Sequence, residues 1–213
     1  MSCPICEKRK PKRFCPARGE NICAICCGTH REVTIDCPRD CPHLIAARRY
    51  EIAHRKPLGA EDFPFPDVEF SVEIVRGNGE ALSGIGLTIL NFAEQNKAVR
   101  DPEILAAIRA LAETYRTLES GIYFERPPDA PLSRALYGQL AQFLQEFKKE
   151  EAQQTGFSKL KDSDIFRLLI FLLRIGTRET NGRSRSRAFL DFLGAQFPQT
   201  ATAKPEAPRI ILP

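Results

Sequence analysis

The chain has 213 residues, 43% of them hydrophobic and 27% charged, and a formal net charge of +4, which is the composition of a globular protein and excludes a fibrous or disordered one. Its length suits one ordinary domain with a small appendage. The longest apolar run, Leu168 to Leu173, is far short of the roughly 20 residues that cross a bilayer, and Met-Ser-Cys-Pro-Ile-Cys at the N-terminus gives no apolar stretch for a signal peptide. The expectation is therefore a cytoplasmic protein with no membrane partner, in a compartment where disulfides are rare.

Cysteine usage is the strongest signal in the chain. All eight cysteines lie between Cys3 and Cys41, and the three histidines, His30, His43 and His54, lie in or just after that stretch. The spacing is Cys3-x2-Cys6, eight residues to Cys15, seven to Cys23, Cys23-x2-Cys26-Cys27, two to His30, six to Cys37, then Cys37-x3-Cys41. A Cys-x2-Cys pair on a tight turn offers two thiolates to one tetrahedral ion, and two such pairs close a structural zinc site. Eight cysteines suffice for two sites, with His30 and His43 as possible replacements. The same stretch has few large apolar side chains (Ile5, Phe14, Ile22, Ile25, Val33, Ile35, Leu44, Ile45), too few to hold a fold unaided, so metal binding is expected to drive folding. Iron–sulfur ligation is the alternative, giving a redox-sensing protein, although the Cys-x2-Cys-x2-Cys-x3-Cys-Pro run is absent.

Cys3-Pro-Ile-Cys6, Lys12-Arg13-Phe14-Cys15-Pro16, Ile22-Cys23-Ala24-Ile25-Cys26-Cys27 and His30 together resemble the HIT and MYND zinc fingers. That resemblance implies a cross-brace module with two interleaved zinc ions, used mostly for protein–protein interaction. Carried over by residue, it implies a first site of Cys3, Cys6, Cys23 and Cys27. The second draws on Cys15, Cys26 or His30, Cys37 and Cys41. The sequence departs from the family pattern after Cys15-Pro16, where Ala17 or Arg18 stands in place of a second cysteine. More loosely, the whole chain is similar to a bacterial group that carries this finger before a helical domain.

Residues 1–48 are assigned to the zinc module, 49–67 to a linker, 68–197 to an all-α helical domain and 198–213 to a disordered tail rich in Pro and Ala. Within the helical part, a helix is expected from near Ser71, disturbed at Gly77-Asn78-Gly79 and resuming over Leu82–Gln95. Asp101-Pro102 reads as an N-cap followed by Pro at the first helical position. From there Ile104, Leu105, Ile108, Leu111, Tyr115 and Leu118 share one face to about Phe124. Arg126 to Pro131 breaks the chain, and a helix over about 132–153 turns Leu136, Leu140, Phe143, Leu144 and Phe147 inward. A helix over 164–177, capped by Asp162 or Ser163, is apolar almost all round and is expected to be the central one. Asn181-Gly182 then leads to a last helix near 184–194. The fold class is a small zinc-stabilised N-terminal module plus a mainly-α C-terminal helical bundle.

Residues 1–60 carry 12 Lys+Arg against 6 Asp+Glu. Two four-thiolate zinc centres would lower that formal +6 to about +2, since each adds about −2. Two basic surfaces stand out for an anion or partner. One is Lys8, Arg9, Lys10, Lys12 and Arg13. The other runs from Arg174 through Arg178 to Arg183, Arg185 and Arg187, where Ser184-Arg185-Ser186-Arg187 begins a helix whose free N–H groups favour anions. The helical domain has neither Cys nor His, which removes thiol, serine–histidine and histidine acid–base chemistry. Tyr115, Glu119 and Tyr123 fall near one stripe, as the border of a core or the lining of a pocket. No catalytic residues are identified. The expectation is a non-catalytic zinc-binding adaptor with a protein partner, with nucleic-acid binding through the two basic patches as the alternative.

Overall fold

A computed structural model describes residues 2–69 and 71–197; the expected tail from 198 onward lies outside the described residues. The order is β1 (Arg13–Cys15), β2 (Glu20–Ile22), α1 (Ala24–His30), α2 (Pro42–Ala53), α3 (Val72–Gly77), α4 (Gly79–Gln95), α5 (Asp101–Glu119), α6 (Pro131–Thr155), α7 (Asp162–Glu179) and α8 (Ala188–Gln196). The architecture is a small cysteine-rich module followed by a helical domain.

β1 and β2 form an antiparallel hairpin with Arg13 opposite Ile22, Phe14 opposite Asn21 and Cys15 opposite Glu20. The Arg18 and Gly19 N–H groups donate to the Cys15 carbonyl at 3.1 and 2.9 Å. Gly19 closes that turn at φ +68°, a left-handed conformation that glycine adopts without steric cost. The hairpin alternation sends Cys15 and Ile22 into the interior and leaves Phe14 exposed. The module's core is largely sulfur: Cys3, Cys15, Cys23, Cys26 and Cys27 cluster with Ile22 and Ile35. α2 begins with Pro42 directly after Cys41 at its N-cap, where proline's missing N–H costs nothing. It runs across the expected boundary at 48, so the connecting segment starts only after Ala53.

In the bundle, α5 packs against α6, α7 and α8, while α7 also packs on α8 and α3, and α4 lies on α6 and α8. α7 buries Leu168, Leu169, Ile170, Leu172 and Leu173, as expected of a central helix, and α5 shares that role through Ile104, Ile108 and Leu111. Two closely spaced helices, α3 and α4, meet at Asn78, in agreement with the break read at Gly77-Asn78-Gly79. No helix among the described residues is long and apolar enough to cross a membrane.

Two helix starts differ from expectation, for one shared reason. Asp101 does not cap α5, whose N-cap is Arg100. Its fully buried carboxylate instead accepts from the Ser186 hydroxyl at 2.6 Å and from the Phe189 and Leu190 N–H groups at 3.1 Å each. Asp101 thus caps α8 across the fold. The last helix correspondingly starts at Ala188, not near 184, and residues 183–187 form a loop.

Candidate metal centre

Four sulfur atoms converge at the end of the module. The Sγ atoms of Cys3, Cys6, Cys23 and Cys26 all lie within 4.8 Å of one another, and Cys6 and Cys23 are 3.9 Å apart. Zn–S bonds of about 2.3 Å in a tetrahedron put ligand sulfurs about 3.8 Å apart, so the donor set fits a single tetrahedral ion. None of the eight cysteines is in a disulfide.

Local structure explains the convergence. Cys3 and Cys6 sit on a turn in which the Glu7 N–H donates to the Cys3 carbonyl at 2.7 Å, and Glu7 takes a positive φ of 56°. Cys23 is the N-cap of α1, and its sulfur accepts from the Cys26 N–H at 3.3 Å. The Cys23 N–H in turn donates to the Cys3 sulfur at 3.2 Å. This is the geometry of a side-chain N-cap, with sulfur as the acceptor. It brings the residue three positions on, Cys26, back over the cap. The first site therefore takes Cys26, not Cys27, because successive helical residues diverge by about 100°.

The electrostatics favour a cation. The Lys8 and Arg9 N–H groups hold the Cys6 thiol down to about 6. Burial works against Cys3, but N–H groups of Cys23, Cys6 and Ile5 more than offset it and its pKa is lowered. Cys26 is pushed up to about 12, first by burial and then by its crowding against Cys23, Cys6 and Cys3. Without an ion the cluster resists its last negative charge. A divalent cation at the centre removes that resistance, since coordination deprotonates the thiols outright.

The other predicted ligands are arranged differently. Cys15, Cys27 and Cys41 are buried and Cys37 is half-buried. Burial raises the Cys37 pKa, and the charges of Cys41, Cys15 and Glu32 add to that; Cys37 also packs against the cluster that holds Cys15 and Cys27. Among the described residues they form no second group as tight as the first. His30 ends α1 with its Nδ1 2.8 Å from the Thr34 hydroxyl. His43 faces elsewhere, into a groove with Arg13 and Tyr50.

Much of the arginine-rich stretch from 174 to 187 is engaged inside the protein, while the side chains of Arg178 and Arg185 stay exposed. Arg174 donates to the carbonyls of Pro64, Phe65 and Val68. Arg183 donates to the carbonyls of Gly28 at 3.1 Å and Arg31 at 2.6 Å, satisfying the open end of α1, where a cation also suits the helix dipole. Arg187 reaches the Lys97 carbonyl at 3.0 Å, and the Arg185 N–H donates to the Glu32 carbonyl at 2.8 Å. The N–H groups expected to attract an anion at the start of the last helix are already taken by Asp101. This loop fastens the bundle to the metal module.

The fastening centres on a residue that the sequence does not single out. Glu32 is buried and takes a left-handed φ of 54°. Its two carboxylate oxygens accept from Arg48 and Asn181, each at 2.7 Å. Arg48 also pairs with Asp191, and Arg39 reaches the same carboxylate at 2.6 Å. Beside it, Arg100 pairs with Asp36 at 2.6 Å. Tyr115, the other flagged side chain, is buried in the bundle core, whereas Tyr123 is exposed and bonds Glu125.

No family model matches this sequence, and no curated protein and no solved structure matches it.

Proposed function

We propose that the chain is a non-catalytic, zinc-binding adaptor in which a metal-stabilised finger, locked onto a helical domain, recognises another protein. The observation that carries this reading is the closed Cys3, Cys6, Cys23 and Cys26 set. With all four tetrahedral positions taken by thiolates, no position remains for a substrate or an activated water, which is the arrangement of a structural site and not a catalytic one.

A second ion belongs to the same reading. Cys26 and Cys27 project about 100° apart on α1, so Cys27 is free to join Cys15, Cys37 and Cys41 in a second four-thiolate set. The sulfur-lined core that includes Cys15 and Cys27, with Cys37 packed against it, supports this division. It replaces the sets drawn from the HIT and MYND resemblance and leaves His30 and His43 as non-ligands.

The nucleic-acid alternative keeps Lys8–Arg13, whereas Arg174, Arg183 and Arg187 of its second patch are engaged within the protein. Binding of the zinc-loaded chain to generic single-stranded RNA and duplex DNA, measured across a salt series, separates the two. The adaptor reading expects no retention at physiological salt. Tight binding with a steep salt slope is the signature of phosphate contacts and would replace it. An iron–sulfur or redox-sensing protein would instead show visible absorption that zinc lacks.

A further inference from the structure

Lys8, Arg9, Lys10, Lys12 and Arg13 contrast with the arginines of the junction. Among the described residues none of these five makes an ion pair, while Arg31, Arg39, Arg48, Arg55 and Arg100 each have a carboxylate partner. Most of the finger's unpaired positive charge therefore lies in one run, whose last residue, Arg13, lines a groove. Arg13 on β1, His43 and Tyr50 on α2, and the ion pair of Arg31 with Glu51 flank about 310 Å³ of open space beside Ala46 and Ala47. The two alanines leave a depression where longer side chains would fill it. Tyr50 is 64% exposed, yet its ring is fixed by stacking on His54 with centroids 3.9 Å apart. An exposed tyrosine beside two small residues and an unpaired arginine has the composition of an interaction hot spot.

We infer that this groove between β1 and α2 is the finger's docking surface, and that its occupant is an acidic polypeptide segment with one aliphatic or aromatic anchor. The anchor seats on Ala46 and Ala47 against Tyr50, and the flanking carboxylates face Arg13 and the Lys8–Lys12 run. A polypeptide suits the groove better than a nucleic acid. Single-strand binders stack successive bases on several aromatic platforms, and here the groove offers one tyrosine ring, Tyr50. Charge complementarity of this kind sets specificity and association rate.

The inference rests on the protein-interaction reading, and its test separates the two. Fluorescence anisotropy of the zinc-loaded full chain is measured with three labelled probes: a short peptide alternating Asp and Leu, its Asn–Leu counterpart, and a single-stranded RNA of equal charge. The Asp–Leu peptide should bind at least about tenfold more tightly than the Asn–Leu peptide, a difference of about 1.4 kcal/mol. Arg13→Glu and Ala47→Glu should each remove that preference, with metal content checked in both, while Arg126→Glu in the bundle should not. Equal affinity for the two peptides, indifference to both groove variants, or displacement of the peptide by the RNA overturns the inference. Photo-crosslinking from position 47 and from exposed position 122 shows which claim has failed. Protein adducts from 122 alone overturn the groove but leave the adaptor reading standing; RNA adducts with no protein at either position overturn both.

Discussion

Replacing Glu32 with alanine should destabilise the junction between finger and bundle. Glu32 holds Arg48 and Asn181, each at 2.7 Å, from a buried position. Removing one partner of a buried ion pair costs about 3–5 kcal/mol, because the remaining charge is left without compensation. Arg48 keeps Asp191, which moves the expected loss toward the lower end, about 3 kcal/mol. The backbone supplies an internal control. Glu32 sits at φ 54°, which costs a side-chain-bearing residue about 1–2 kcal/mol, and glycine gives back about 0.4–1 kcal/mol through unfolded-state entropy. Glu32→Gly should therefore be slightly more stable than Glu32→Ala, and both well below wild type. Urea unfolding followed by far-UV circular dichroism, with metal release read in parallel by a chromophoric chelator, measures both effects. Metal release should shift to lower urea along with the helical transition. A loss under about 1 kcal/mol in both variants would refute the view that Glu32 is the centre of a buried junction.

Three further outcomes follow from the fold. Asp101→Ala should destabilise by about 2–4 kcal/mol, since it removes both a helix cap and a buried charged acceptor, with Asp101→Asn losing less; thermal unfolding measures the difference. Gly176→Ala should destabilise although alanine is the better helix former, because the added Cβ would lie 2.3 Å from a Leu105 methyl and 3.2 Å from the Phe189 ring; overpacking costs about 1–3 kcal/mol against a propensity gain of about 1. Glu151 accepts from the Ser158 hydroxyl and the Lys159 and Leu160 N–H groups, and these bonds, the Ser158 hydroxyl first, lower its pKa below the usual 4.5. Its contribution should be complete above that value and lost as pH falls through the lower folded value, so the gap between wild type and Glu151→Gln in a pH series of unfolding midpoints should close in acid.

Much of this was legible because the signals are local. The periodic apolar positions of α6 and α7 predict those helices to within about two residues, α5 ends at Glu119 and not near Phe124, and Gly77-Asn78-Gly79 marks the junction of α3 and α4. The Cys-x2-Cys spacings identify Cys3, Cys6, Cys23 and Cys26 as ligand candidates for the same reason. Cys26 is separated from Cys27 by that pair spacing and by helix geometry, against what the family resemblance implies. Once Cys23 is the N-cap, the residue three positions on folds back over it, whereas the family pattern favoured the next one. The internal bonds of Arg174, Arg183 and Arg187 are not legible because nothing in sequence tells a guanidinium facing solvent from one bonded to carbonyls 90 or more residues away. Asp101 shows the same limit. Asp-Pro looks like a local cap, yet its acceptors serve α8, and that choice is made by tertiary packing. Glu32 had no sequence signal, since a left-handed glutamate is set by the turn around it and by partners far along the chain.

The central claim is that four thiolates from Cys3, Cys6, Cys23 and Cys26 close around one structural ion, with a second ion on Cys15, Cys27, Cys37 and Cys41. Elemental mass spectrometry of protein purified under reducing conditions, with a visible absorption spectrum, tests it directly when wild type is set beside Cys3→Ser/Cys6→Ser and Cys37→Ser/Cys41→Ser. The account predicts two zinc ions in the wild type, one in each variant, and no visible bands. Iron with visible absorption, or full zinc content in the Cys3→Ser/Cys6→Ser protein, would contradict it.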